Sequence, residues 1–404
     1  MCLVEITAET QDEEREPETE ICPPGVGLHT GHVFPGLITP SMTALRYRAL
    51  LRSLSTQPPP CTPASLRPFV ERQGAVILDG GFGKALGVES EKHALWGAQH
   101  LFRLEGHNKL LDVHRTFLEA GSDVIRSVSY QVSFEMLAAA NAFTDGTLPG
   151  GNISSEKFQL RYSNDVLRTS VELAKKARNE FWAKAQAIHP ERLRPLVAAS
   201  VGPAGDNVAS WTGATDPNSH LPNDIISTYY RRKLHALCRA KPDLLALETL
   251  PGLREARLAL SALAEVAPEL AKLGVRVPPA WVTFVCSYAL CWNGTQTPDH
   301  NERCSLTAPV SILGEHRSEQ STAAGDDFGD ACAELAVKAG VHAIGVNCAE
   351  PSLVEPLLKR ARLRVSPETL LLAYPNSGEV WDALTNQALL AKEPTRAMYG
   401  VKPT

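Results

Sequence analysis

The chain has 404 residues, 44% of them hydrophobic, and a formal net charge of -5, which is enough apolar material for one large barrel or two ordinary domains. With 40 basic residues against 45 acidic ones, no basic field recruits nucleic acid or an anionic membrane, and the balance suits an enzyme acting on a small molecule. No apolar run approaches the roughly 20 residues that cross a bilayer, and acids follow Met1-Cys2-Leu3-Val4 where a secretory signal has its apolar core, so a soluble, cytoplasmic protein is expected.

Residues 1–70 read as a mostly disordered extension: an acidic stretch over 9–20, then Pro- and Gly-rich loops, then Pro58-Pro59-Pro60. Within it, 42–68 carries Arg46, Arg48, Arg52 and Arg67, no acid, and Leu45, Leu50, Leu51 and Leu54 for an apolar helix face. A form starting at Met42 would present a mitochondrial presequence; a disordered tail with a chance basic helix is the plainer reading. The nine cysteines, an odd number scattered from Cys2 to Cys348, lack the spacing of a disulfide framework, so reduced thiols are expected.

From residue 71 to 404 the pattern is that of one barrel domain. Short β-branched or leucine-rich runs, bounded by turn residues, predict strands at 75–79, 123–129, 195–200, 244–248, 281–286, 342–347 and 370–374. Helical periodicity fills the gaps, with Ile226, Tyr230, Leu234 and Leu237 on one face and Leu253, Ala256, Leu260 and Leu263 on another. Ser352 with Glu355 predicts a capping box, and Gly340 a helix C-cap before the sixth strand. Repeated βα units with near-continuous apolar strands imply a buried parallel sheet, and the unit count favours an α/β barrel over a doubly wound sheet. No GxGxxG follows any strand, and Gly80-Gly81-Phe82-Gly83 is too short to count. Residues 287–325 break the rhythm, carry Cys291 and Cys304, and read equally as an active-site lid or a surface insertion.

Barrels assemble their active sites at strand C-termini. Asp79 ends one strand and is followed by Gly80 and Gly81, which would let backbone approach a ligand, although an Asp there also shapes a tight turn. Glu248 ends Leu244-Leu245-Ala246-Leu247, a strand otherwise fit for a dry core. A carboxylate there needs a cation, and a neighbouring Arg or a ligand's ammonium would serve. Cys348 after Asn347 is a small buried hydrophobe or a metal ligand, and Asn347 a substrate-orienting or a loop-satisfying group.

Together these segments resemble the homocysteine S-methyltransferase family. The matching segments are Leu78-Asp79-Gly80-Gly81; His114 and Ala120-Gly121-Ser122-Asp123 through Ser129-Tyr130-Gln131-Val132-Ser133; Ser200-Val201-Gly202-Pro203; Leu247-Glu248-Thr249; Gly345-Val346-Asn347-Cys348; and Tyr374-Pro375-Asn376-Ser377-Gly378-Glu379. They run in family order from about 74 to 382. The resemblance implies a (β/α)8-type barrel with a catalytic Zn2+ held by three cysteine thiolates, its open position taken by the homocysteine sulfur. Carried onto this chain, Cys348 is the first zinc ligand, Asp79 and Glu248 hold the substrate ammonium beside Gly80 and Gly81, and Asn347 orients the amino acid. The implied reaction moves a methyl group from S-methylmethionine or S-adenosylmethionine to the homocysteine thiolate, giving methionine, with Tyr130 or Trp211 as candidates to face the sulfonium charge.

The family's other two zinc ligands are adjacent cysteines in a Gly-Gly-Cys-Cys motif on an eighth strand, and here no Cys follows Cys348. The expectation is therefore a barrel lacking its eighth βα unit, truncated at the C-terminal side, with its first and seventh strands left as unpaired edges and its activity impaired. Cys286 is a poor substitute ligand. A catalytically inactive amino-acid-binding or regulatory relative is the alternative, and a zinc-free barrel enzyme using carboxylates a third.

Overall fold

A computed structural model describes residues 2–5, 65–87, 95, 97–139, 155–204, 221–286, 320–376, 380–382 and 387–389. The presequence-like segment up to residue 64, most of the 287–325 insertion, Trp211 and 377–379 lie outside the described residues.

The described chain opens with a strand, β1 (Cys2–Glu5). A short helix, α1 (Arg67–Gln73), follows, ending at Gly74, whose φ of 79° suits a residue without Cβ. Seven parallel strands then pair in chain order: β2 (Ala75–Leu78), β3 (Val124–Arg126), β4 (Leu196–Val201), β5 (Leu244–Leu250), β6 (Ala280–Phe284), β7 (Val341–Asn347) and β8 (Leu370–Tyr374). All seven predicted strands are present, and they form a nearly closed α/β barrel.

Parallel neighbours need crossovers, and amphipathic helices supply them. These are α2 (Phe82–Ala85) with α3 (Leu104–Glu119), α4 (Phe134–Ala139) with α5 (Glu156–Ile188), α6 (Asn223–Arg239), α7 (Leu253–Lys272), α8 (Phe328–Ala336) and α9 (Pro351–Arg362). The two apolar faces read from sequence are the ones turned inward: Ile226, Tyr230, Leu234 and Leu237 are buried, and Leu253, Ala256, Leu260 and Leu263 all pack on the core. Among the described residues no helix is long and apolar enough to cross a membrane.

Side chains alternate across each strand, and the alternation sorts them into two cores. Val197, Leu245, Leu247, Val282, Ile344 and Val346 face the helices. Val76, Leu78, Val124, Ala198, Leu244, Ala246, Trp281, Ala343, Leu370 and Leu372 fill the interior, with Leu66 and Phe69 among them. Burying Phe69 there contributes roughly 2 kcal/mol and ties α1 to the barrel interior. Continued two residues further, the interior register reaches Arg126, Ser200, Glu248, Thr283 and Tyr374. The polar layer at the C-terminal mouth is thus the top rung of the same ladder that forms the dry core.

Three expectations need correction. The first barrel strand is not an unpaired edge, because β1 pairs with it antiparallel, Cys2 opposite Leu78 and Glu5 opposite Ala75, and β1 also lies beside β8. The capping box at Ser352 is absent: α9 starts at Pro351, and Ser352 donates to the Glu350 carboxylate at 2.8 Å. Gly340 has a φ of 85°, but α8 ends earlier, at the C-cap Val337, so the glycine serves the turn into β7.

Of the insertion, its return limb is described. Ser321 bridges Asp327, and Asp326 accepts hydrogen bonds from Leu253 N (2.7 Å) and Thr322 Oγ1 (3.1 Å). The Asp326 carboxylate thereby caps the first turn of α7, where Gly252 offers no side chain.

Candidate active site

At the mouth, Asp79 and Glu248 are both buried, and the cation they require is Arg126. Its Nε donates to Asp79 Oδ1 and its Nη1 to Glu248 Oε2, each at 2.7 Å. Its backbone N–H donates to Asp79 Oδ2 at 2.7 Å, and its Nη2 to the Gly80 carbonyl at 3.3 Å. Ser200 Oγ donates to the remaining Glu248 oxygen, so each of the four carboxylate oxygens already accepts one bond and keeps room for another. The guanidinium carbon lies 4.8 Å over the Tyr374 ring, and the Tyr374 hydroxyl is held by Thr283 Oγ1 (2.8 Å) and Trp281 Nε1 (3.2 Å).

Two carboxylates and one guanidinium leave a net charge of about -1 in a largely dry site. Burial opposes the Arg126 charge, but the Asp79 and Glu248 carboxylates overcome it and hold the guanidinium well above its usual range. Burial likewise pushes the Asp79 carboxyl up, against the pull of Arg126.

Beside this cluster, Asn347 knits two strand ends together. Its Oδ1 accepts from Thr249 N (2.8 Å), while its Nδ2 donates to Thr249 Oγ1 (2.7 Å) and to Cys348 Sγ (3.2 Å). Thr249 and Cys348 both have positive φ, 63° and 50°, conformations that L residues adopt only when their surroundings enforce them. Cys348 is exposed. Crowding by neighbouring protein atoms, then the Glu248 carboxylate, raise its thiol above the ordinary value, while Thr249, Arg126 and Asn347 act the other way. The sulfur is therefore open to the mouth and electrostatically coupled to the Asp79–Arg126–Glu248 cluster, not sealed in hydrocarbon.

Packing requires a glycine at one of the two positions after Asp79. A Cβ on Gly80 would stand 2.9 Å from the Phe117 ring, whereas Gly81 has ordinary room, 3.7 Å from the Lys84 Cβ. His114 lies buried against Phe82 with neither ring nitrogen bonded, and burial drives its pKa down to about 3. Cys286 is buried, its thiol pushed up to about 12, and takes no part in the mouth. The mouth residues to which sequence reasoning gave no role are Arg126, Ser200, Thr249 and Tyr374. The signal for Arg126 was available, since it stands two positions after inward-facing Val124.

A donor set for zinc is incomplete. Among the described residues no three His, Cys, Asp or Glu side chains gather as metal ligands, and of Cys238, Cys286, Cys332 and Cys348 only Cys348 is exposed. One thiolate does not make a tetrahedral site, so the described residues do not fit a resident zinc.

The family model described as homocysteine S-methyltransferase matches residues 76–398. The chain belongs to this family. It is 30% identical over 323 residues to homocysteine S-methyltransferase 1 of Arabidopsis thaliana, covering 78% of this chain and 80% of that protein. It is 28% identical over 324 residues to a selenocysteine Se-methyltransferase of Brassica oleracea var. italica, covering 77% and 75%. Among solved structures, the metallated form of the homocysteine methyltransferase MmuM from Escherichia coli superposes with a TM-score of 0.55 at 26% identity, covering 80% of this chain and 90% of that one.

Proposed function

We propose that this methyltransferase-family chain transfers a methyl group from a sulfonium donor, S-methylmethionine or S-adenosylmethionine, to homocysteine, giving methionine. The observation that carries the proposal is the Asp79–Arg126–Glu248 cluster coupled through Thr249 and Asn347 to the open Cys348 thiol. The cluster's residual negative charge suits the substrate ammonium, which would take the unused lone pairs of Asp79 and Glu248 and bring the site to neutrality. Asn347, with the oxygen and the nitrogen of its amide both engaged, orients the wall of the mouth more than the amino acid itself.

The homocysteine sulfur gives up its proton to solvent and attacks the donor methyl in line. A carbon–sulfur bond forms as the donor's breaks, and the electron pair leaves with a neutral thioether. Family resemblance alone brings in zinc, to which Cys348 would be the ligand this chain supplies. The Brassica relative's name brings selenocysteine in as a competing acceptor.

The test is methionine formation by the purified full chain, measured by mass spectrometry with each donor, with homocysteine or selenocysteine as acceptor and with metal content determined. Product formation abolished by Cys348→Ser and strongly reduced by Glu248→Gln is expected. Homocysteine binding by calorimetry without product from either donor, with or without added zinc, would overturn the enzymatic reading in favour of an inactive amino-acid-binding relative. An inactive relative is favoured by one observation, that the described residues offer a metal only one exposed thiol.

A further inference from the structure

Behind the mouth, a lysine is buried without a carboxylate to pair with. Lys233, on α6, is 1% exposed, and its ammonium donates to the Tyr130 carbonyl (2.5 Å) and to the Tyr229 hydroxyl (2.9 Å). Tyr229 in turn donates to the Gly202 carbonyl (3.0 Å), and Gly202 N–H donates to the same Tyr130 carbonyl (3.4 Å). A Cβ on Gly202 would fall 2.8 Å from the Tyr130 ring, so the loop after β3 lies directly on the loop after β4, with Lys233 holding the first directly and the second through the Tyr229 hydroxyl.

That double loop leads into the site. Ser127 Oγ accepts from Ser200 N (3.1 Å) and shares a 2.7 Å hydrogen bond with Ser129 Oγ, which donates to Ser200 O (2.7 Å). Ser200 is the donor to Glu248, and Arg126 immediately precedes Ser127. Hydrogen bonds joined by the 127–130 backbone thus run from the Lys233 ammonium at Tyr130, through the Ser127 and Ser129 hydroxyls, to Ser200 and the Glu248 carboxylate.

We infer that Lys233 is a positioning residue for the amino-acid site, an ammonium latch that fixes the 127–133 loop and, through it, the placement of Arg126, Ser200 and Glu248. Holding a cation in a dry wall with only a carbonyl and a phenol as partners costs stability. A buried charge kept under those terms is explained by what it positions. The inference deepens the methyltransferase proposal and rests on it for its kinetic consequences, but not for its structural ones.

The latch is also proton-linked. Burial lowers the Lys233 pKa to about 7, with the Glu135 and Glu248 carboxylates resisting the fall, and Glu135 is itself engaged by Arg232 at 3.3 Å. Tyr130 presents a carbonyl to the ammonium, and Tyr229 its hydroxyl and its ring face, 5.2 Å from Nζ to the ring centre. As pH rises through that value the ammonium becomes a neutral amine, a weaker donor to the Tyr130 carbonyl.

Lys233→Met tests the inference, because it keeps the bulk and leaves no orphan: Tyr130 O retains the Gly202 N–H, and the Tyr229 hydroxyl retains the Gly202 carbonyl. The variant is expected to be at least as thermostable as the natural chain, yet to show faster hydrogen exchange in 127–133. Its KM for homocysteine is expected to rise about two- to tenfold, the equivalent of one such hydrogen bond, with little change in kcat, and Lys233→Arg should restore most of the difference. The ratio of the two proteins' KM values should shrink as pH rises past 7, because the substrate's own ionisations cancel in the ratio. Unchanged exchange in 127–133 together with an unchanged KM and KM–pH profile would overturn the latch. If the natural chain makes no methionine, the exchange measurement still decides on the latch while the catalytic reading fails.

Discussion

Replacing Arg126 with Met removes the cation between two buried carboxylates and leaves their other bonds in place. The backbone N–H of residue 126 still reaches Asp79 Oδ2, and Ser200 still reaches Glu248. Removing one partner of a buried ion pair typically costs 3–5 kcal/mol. Here the loss has a ceiling, because one carboxyl can take up a proton instead: at pH 7, protonating a group of ordinary pKa near 4 costs about 4 kcal/mol. The variant should therefore be about 3–4 kcal/mol less stable at pH 7. The sign with pH follows from linkage. Without Arg126 the folded pair holds a proton that the unfolded chain has released, so its pKa lies above the unfolded value. The penalty is then full at high pH and disappears as pH falls to the ordinary carboxylate range, by up to about 1.4 kcal/mol per pH unit. Denaturant titrations at pH 5, 6, 7 and 8, followed by the fluorescence of the six tryptophans, measure it directly. Homocysteine should narrow the gap between variant and natural chain, because its ammonium supplies the missing cation. A difference that is small at pH 7, or the same at every pH, would show that the two carboxylates do not depend on Arg126 and would remove the basis for the net charge assigned to the site.

Four further outcomes are expected. Asn347→Ala strands the Thr249 N–H and removes a donor to Cys348 Sγ, so denaturation should show a loss of about 1–3 kcal/mol and iodoacetamide should label Cys348 more slowly near neutral pH. Gly345→Ala would put a Cβ 1.8 Å from the Leu372 carbonyl oxygen; because that oxygen belongs to the neighbouring strand, a loss of about 3 kcal/mol or more, or insoluble protein on expression, is expected. His114 is buried neutral with its pKa lowered to about 3, so acid destabilises the natural chain progressively from about pH 6.5 down to about 3, and His114→Leu should flatten that part of the stability–pH curve. Deleting residues 2–5 bares the outer edge of β2, and light scattering should then detect self-association.

The strand order was legible because all seven barrel strands are short apolar runs bounded by turn residues, and period-2 burial is written into Leu244, Ala246 and Glu248 as plainly as into Leu370, Leu372 and Tyr374. The positions of Asp79 and Cys348 just past their strands were legible for the same reason, whereas Glu248, expected to end its strand, lies two residues inside it, since β5 continues to Leu250. What occupies the space between the carboxylates was not. Sequence position limits Glu248 to needing a cation, but cannot say whether Arg126, 122 residues earlier, or a ligand provides it, since that depends on how two non-adjacent strands are staggered across the barrel. The Asn347–Thr249 knot was hidden similarly: its evidence is two positive φ values, and nothing in a Thr or a Cys signals a left-handed backbone as a glycine does. The capping box failed because Pro351 is a stronger helix start than Ser352, fixing φ where the missing N–H has no partner to lose.

The strand β1 separates two tasks that a regular barrel performs together. Each parallel strand both satisfies its neighbour's edge and delivers its C-terminal residue and loop to the mouth. An antiparallel strand beside β2 does the first, pairing all four residues Ala75–Leu78, but it runs the opposite way. Its first residue, Cys2, reaches the level of Leu78, next to Asp79, and its last, Glu5, points the chain away from the mouth at the level of Ala75. Closure of the sheet edge therefore carries no information about the completeness of the active site. Pairing of this edge and the methyl transfer proposed for the mouth are therefore to be measured by separate experiments.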